Sequence, residues 1–193
     1  MTAEELIAFE RRVADAFQRQ EIRGPIHLSG GNEQDLIEVF VEIDKGDWVF
    51  SNYRSHYHAL LHGVDQDWLY KEILEGRSMG IQCPKRRFYS SAIVGGHIPI
   101  AVGVAAALKR MGNSRKVWCF LGDMAYTTGA YHEAHRYACG HKLPITFVIE
   151  DNGFSCDTPT SDTWGEDFTH NKNELYYHYA RTYPHSGIGA YVF

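Results

Sequence analysis

The sequence predicts an α/β fold, a three-layer sandwich around a mostly parallel central sheet. Lys116 to Leu121 and Pro144 to Ile149 are short apolar runs, the type buried on both faces of a parallel sheet, and the second is rich in β-branched residues. Between them Thr128 to Cys139 reads as a helix, so strand, helix and strand follow in the order of a right-handed βαβ unit. The chain has 193 residues with no internal repeat and no low-complexity linker, so residues 1–193 are expected to form one domain.

The flanking elements follow from periodicity and breakers. Leu6, Phe9, Val13, Ala16 and Phe17 share one helical stripe over residues 3–20, and Arg23-Gly24-Pro25 should end that helix, because proline disfavours helix in the residue before it. A second helix should start at Asn32 and turn Leu36, Ile37, Val39, Phe40 and Ile43 inward. Asp44 to Asp47 is a turn, Trp48-Val49-Phe50 a short strand, and residues 65–75 a helix closed by Gly76. Arg77 to Arg87 lacks a period and reads as a loop. Ile98 to Leu108 is a helix of small apolar residues suited to close packing. The tyrosine-rich stretch from Leu175 to Tyr183 reads as extended.

Composition narrows the function. Nineteen Lys and Arg against 24 Asp and Glu leave a formal charge of −5, which argues against nucleic acid or an anionic membrane as the main partner. The acidic start Met1-Thr-Ala-Glu-Glu does not read as a signal peptide, and no apolar run approaches the length of a membrane span. Cys83, Cys119, Cys139 and Cys156 form no C-x-x-C pair, and Cys119 lies in an apolar run, so a reduced, cytoplasmic protein is expected.

Chemistry concentrates at the ends of the two strands. Leu121-Gly122-Asp123 closes the first and Glu150-Asp151-Asn152-Gly153-Phe154 the second, at the edge where open α/β sheets bind ligands. Asp123 offers a carboxylate and Asn152 an amide oxygen, both ligands that magnesium takes beside phosphate oxygens. Gly122 allows close backbone approach, and a helix starting after Asp123 would aim free N–H groups at a phosphate. Asp123 also suits a helix cap, and Arg54 a solvated surface position. His56, His58 and His62 fit either a site rim or the polar face of a helix, and no cysteine or carboxylate pattern completes a zinc site around them.

Gly122-Asp123-Met124 followed by Asn152 resembles the thiamine diphosphate motif, G-D-G followed at fixed spacing by N-N or D-N. Three further segments agree in register: His27 to Glu33 with Tyr53-Arg54-Ser55-His56, Ser91 to Pro99, and Lys142-Leu143-Pro144. Together they resemble the alpha subunit of 2-oxo acid dehydrogenase first components over about residues 20–160. The resemblance implies the diphosphate-binding domain of the thiamine diphosphate fold, with thiamine diphosphate and Mg2+ as cofactors and a 2-oxo acid as substrate. Asp123, Asn152 and the carbonyl of Phe154 match the magnesium ligands. Tyr53 and Arg54 match diphosphate contacts, and Gly122 with main-chain atoms of Met124 and Ala125 continues that cradle. Ala92 and Val94 match backbone groups facing the aminopyrimidine, and His56 is a candidate for substrate contact or proton transfer. The pyrimidine-binding domain is expected on a beta subunit, giving an α2β2 assembly. The same half-site also suits a split transketolase-like enzyme or a shortened binding scaffold.

The sequence departs from the family pattern at named positions. Met124 stands at the second glycine of G-D-G, where a thioether would crowd or shift a ligand, and Ala92 replaces another glycine. Asp151 stands where asparagine is frequent. The glycine-rich loop before Ile93 is short, and the distal segment is compressed. Tyr183-Pro184-His185-Ser186 resembles the family's histidine-bearing loop only faintly, since His185 follows Asn152 early.

Overall fold

The computed structural model describes residues 1–165 and 174–188. Helices α1 (Ala3–Gln18) and α2 (Glu33–Val41) lead into strand β1 (Trp48–Ser51), then α3 (His56–Leu61) and α4 (Gln66–Leu74). A short strand β2 (Gln82–Cys83), one 3-10 turn (Pro84–Arg86) and β3 (Phe88–Ser90) precede α5 (His97–Arg110) and β4 (Val117–Gly122). There follow α6 (Asp123–Tyr126), α7 (Gly129–Gly140), β5 (Ile145–Asp151), the small strands β6 (Phe154–Ser155) and β7 (Thr158–Pro159), α8 (Thr160–Trp164) and β8 (Leu175–His178).

The sheet runs β2-β3-β1-β4-β5-β8, parallel throughout except for the antiparallel edge pair β2–β3. Alternation along β4 feeds two cores. Trp118 and Phe120 join the side chains of α1 to α4, whereas Val117, Cys119 and Leu121 join those of α5 and α7. Helices thus cover both faces, the layered arrangement the sequence predicts. Phe120 is sealed and stacks on Phe40 with centroids 5.4 Å apart, which binds α2 to the central strand. On the other face His97, at the start of α5, donates from Nε2 to the Phe120 carbonyl at 2.8 Å. No helix among the described residues is long and apolar enough to cross a membrane.

Several local expectations are corrected. Helix α1 stops at Gln18, well ahead of Pro25, because Gln20 adopts a left-handed φ of 59°. Arg77 to Arg87 is not plain loop: it carries edge strand β2 and a 3-10 turn, elements too short to leave a period. The same brevity hides α3 and β3. Asn32 does occupy the cap of α2, yet its side chain makes no capping bond and turns instead toward the sheet. The tyrosine-rich stretch enters the sheet only over β8, and residues 179–183 leave it.

Burial lowers the His97 pKa from its ordinary value of 6.5 to about 4, and His27 shifts the same way to about 4. As pH falls between those values the unfolded chain takes up protons that the folded chain refuses, so stability falls with pH. The stability loss between about pH 7 and pH 5, followed by urea unfolding, should be shallower in His97→Gln, which keeps a donor for the Phe120 carbonyl. An unchanged slope would show that His97 is not held neutral.

Candidate functional site

Strand register builds the site. Gly122 of β4 lies opposite Glu150 of β5, so the residues that follow, Asp123 on one side and Asp151-Asn152 on the other, emerge side by side at the C-terminal edge. The strand order places β3 on one flank of β1 and β4 on the other, so connections diverge between β1 and β4. That is the switch point at which open α/β sheets hold ligands. A cavity of about 310 Å³ opens there. Its walls come from the ends of β1 (Asn52, Tyr53, Arg54), β4 (Gly122 to Ala125) and β5 (Glu150, Asn152, Phe154), from the turn before α5 (Val94, Gly95), and from Tyr179, Arg181 and His185 near the C-terminus.

Asp123 is almost wholly buried; its Oδ1 accepts from Met124 N at 2.8 Å and its Oδ2 from Gly153 N at 3.1 Å. Asp151 Oδ1 shares the Gly153 donor at 2.8 Å, and Tyr176 donates its hydroxyl to Asp151 Oδ2 at 2.6 Å. Desolvation first, then the neighbouring Asp151 carboxyl, push the Asp123 pKa up to about 7. Asn152 Oδ1 accepts from Phe154 N at 3.1 Å, an Asx turn that shapes the start of β6. Arg54 is buried, with Nη1 donating to the Leu28 carbonyl and Nη2 to the His185 carbonyl at 3.4 Å; among the described residues no carboxylate pairs with it. A buried guanidinium bonded only to neutral oxygens at a cavity wall is poised for an anion.

Nine of the sequence-selected residues therefore share one cavity: Tyr53, Arg54, Val94, Gly122, Asp123, Met124, Ala125, Asn152 and Phe154. Ala92 does not line it and is exposed. His56 is not brought to it either. The ring is fully buried, with Nε2 2.9 Å from Ser78 Oγ and Nδ1 3.4 Å from the sealed Glu10 carboxylate. Its place in α3 turns it into the core beside Phe9, away from the cavity where the sequence reading put it. His58 and His62 are buried too, His62 against the Asp47 carbonyl at 3.2 Å. Helix α6 starts at Asp123 itself and is one turn long, so the longer helix α7 begins farther on, where Thr128 accepts from Tyr131 N.

Met124 is half-buried at the cavity wall, and its φ lies outside the left-handed region. A side chain at this position therefore carries no left-handed backbone cost. Among the described residues, a Cβ at Gly122 would meet only the Glu150 carbonyl, at 3.9 Å.

Sequence reasoning passed over three groups. Glu150, nearly sealed, accepts from His58 Nε2 at 3.0 Å, from the Tyr177 hydroxyl, and at 3.5 Å from Asn32 and Asn52 amides. His58 in turn meets Ser51 Oγ at 3.0 Å. A charged residue ending an apolar strand was the available signal. Next, residues 179–188 form a strap folded over the segment 26–31: Thr182 N donates to Gly30 O at 3.2 Å and Gly187 N to Ile26 O at 2.9 Å. A Cβ at Gly30 would lie 2.0 Å from Thr182 Oγ1, and one at Gly31 2.2 Å from the Ala180 carbonyl, so the strap seats only on glycines. The strap carries His185 against Tyr53 and His27, whose Nδ1 lies 2.6 Å from the His185 carbonyl. Burial, then the Arg54 charge, lower the His185 pKa. Finally, Arg181 enters the same wall.

The cavity thus sets a buried carboxylate and a guanidinium without a carboxylate partner among the described residues at the switch point of a mostly parallel sheet. The model of the dehydrogenase E1 component family matches residues 1–171, and the chain belongs to this family. It is 32% identical over 165 residues to the alpha subunit of an acetoin:2,6-dichlorophenolindophenol oxidoreductase from Bacillus subtilis (strain 168), covering 80% of this chain and 50% of that protein. It is also 32% identical over 163 residues to a pyruvate dehydrogenase E1 component subunit alpha from Rickettsia typhi, covering 79% and 50%. The chain spans about half the length of these curated relatives.

Glu150→Ala should cost the fold about 3 kcal/mol or more, because buried donors of His58 and Tyr177 lose their acceptor. Glu150→Gln, which keeps one oxygen, should cost less. Unfolding free energies from urea titration within about 1 kcal/mol of the parent for both variants would contradict this role for Glu150.

Proposed function

We propose that this chain is the diphosphate-binding, alpha-type part of a thiamine-diphosphate-dependent 2-oxo acid dehydrogenase first component. The observation that carries the reading is the meeting of Asp123 and the Asn152-Phe154 segment at adjoining strand tips, in one cavity with Arg54. The donor set fits the cofactor and its ion. Asp123 is a desolvated carboxylate crowded by Asp151, and a divalent cation set against it relieves both costs. Asn152 Oδ1 and the Phe154 carbonyl add neutral oxygens, the mixture that suits Mg2+ beside phosphate oxygens.

On this reading Asp123, Asn152 and the Phe154 carbonyl hold magnesium, while Arg54 and Tyr53 take the diphosphate. Gly122 and the backbone of Met124 and Ala125 line the cradle, and Val94 faces the aminopyrimidine. Thiamine diphosphate, when bound, supplies the electron sink for decarboxylation of a 2-oxo acid. The chain's own part is positioning and charge. Arg54 orients the diphosphate by a rigid fork of donors. The strap covers one side of the cavity and sets His185 in its wall, packed on His27, both held toward the neutral form by burial.

Partner requirements follow from the rim. Ile93 and Val94, 71% and 55% exposed beside the cavity, leave apolar surface for a pyrimidine-domain beta subunit, which would complete the site in an α2β2 assembly. Four free cysteines suit a reducing, cytoplasmic setting. Calorimetry should detect thiamine diphosphate binding that requires Mg2+, weak for the chain alone and tighter with a beta subunit. Asp123→Ala and Asn152→Ala should each weaken it about tenfold or more. No binding heat under any of these conditions would overturn the assignment.

A further inference from the structure

Arg181 is the one strap cation at the cavity wall, and no motif pointed to it. Its side chain is 10% exposed, yet its ion-pair partner, Asp157, is 72% exposed. Arg181 Nη2 donates to Asp157 Oδ1 at 2.8 Å, and the guanidinium carbon lies 4.8 Å from the Phe154 ring centroid. Asp157 sits in the tight turn joining β6 to β7, where Cys156 takes a φ of 55°. Arg181 thus grips the hairpin at its tip and over the ring of Phe154, the residue whose carbonyl is offered to the metal. An ion pair with one member in solvent contributes little and exchanges readily for a better-buried anion. The charge balance supplies that anion: the negative charges of a diphosphate and Asp123 outnumber the positive charges of one divalent ion and Arg54.

We propose that Arg181 is a second anion-binding arm of the site. It leaves Asp157 for the phosphoryl oxygens of a bound diphosphate–magnesium group, and the hairpin adjusts with it. Asp157 therefore competes with the ligand for the same guanidinium. This rests on the reading of the cavity as a diphosphate site, and adds the residue that answers to occupancy.

The test is calorimetric titration of the full chain with inorganic pyrophosphate in saturating Mg2+, and then with thiamine diphosphate. Arg181→Gln should weaken pyrophosphate binding about tenfold to a hundredfold, and Arg181→Lys less, since lysine keeps the charge but not the fork. Asp157→Asn should tighten binding, and that gain should vanish in the double variant with Arg181→Gln. Circular dichroism and thermal unfolding of each variant separate lost binding from lost folding, and the Asp157→Asn gain reads the competition in a chain that keeps Arg181. Parent-like affinity in folded Arg181→Gln, or an Asp157→Asn gain that persists without Arg181, overturns the proposal and leaves the diphosphate site standing. Absence of pyrophosphate and thiamine diphosphate binding in the parent chain overturns both.

Discussion

The site depends on one hydrogen bond that ties two strand tips. Gly153 N donates to Asp123 Oδ2 at 3.1 Å, so the turn after β5 is clamped to the carboxylate that ends β4. The clamp is possible because β4 and β5 are parallel and in register to their last residues. Parallel pairing sends both chains out at the same edge, and the residues free of the ladder face one another there. The other features gathered at this edge are consequences or supports. Asp151 and Tyr176 brace the clamp from β8's side, and the Asn152 turn starts β6.

A second constraint works one layer below. Glu150 draws donors from the cap of α2, the end of β1, helix α3 and β8 onto one buried carboxylate. It thereby fixes Asn52, whose Oδ1 accepts from Arg54 N at 2.7 Å, and so sets the entry of the guanidinium into the cavity. The strap closes the remaining side by backbone pairing with residues 26–31. Arg54 joins the layers, reaching the Leu28 carbonyl on one side and the His185 carbonyl on the other. The Arg54 charge is held in place by neutral carbonyl dipoles, with no carboxylate paired to it among the described residues.

The parts of the fold legible in the sequence are those with long periods. α1, α4, α5 and α7, and the apolar strands β4 and β5, lie within a few residues of where patterning puts them. The two- and three-residue strands β2 and β3 leave too few positions for any period, and the six residues of α3 span less than two helical turns. The strand-tip residues were readable because they follow directly on the apolar runs. His56 misled, since local sequence does not reveal that α3 turns it inward onto Glu10. Arg181 was out of reach, and His185 was noticed but not placed, for the opposite reason. They come to the cavity through tertiary pairing of the strap with two glycines more than 140 positions earlier in the chain, a contact no local pattern encodes. His58 and His62 show the same limit: a site rim or the polar face of a helix was expected, and buried partners hold them inside.

The most direct measurement of the central claim is a crystal structure of the chain grown with thiamine diphosphate and Mn2+ in place of Mg2+, with data collected at the manganese absorption edge. A single anomalous peak is expected, bonded to an Asp123 carboxylate oxygen, Asn152 Oδ1 and the Phe154 carbonyl, with two diphosphate oxygens beside it. A peak bound elsewhere, or a cavity filled by the Met124 side chain with no metal at the strand tips, would contradict it.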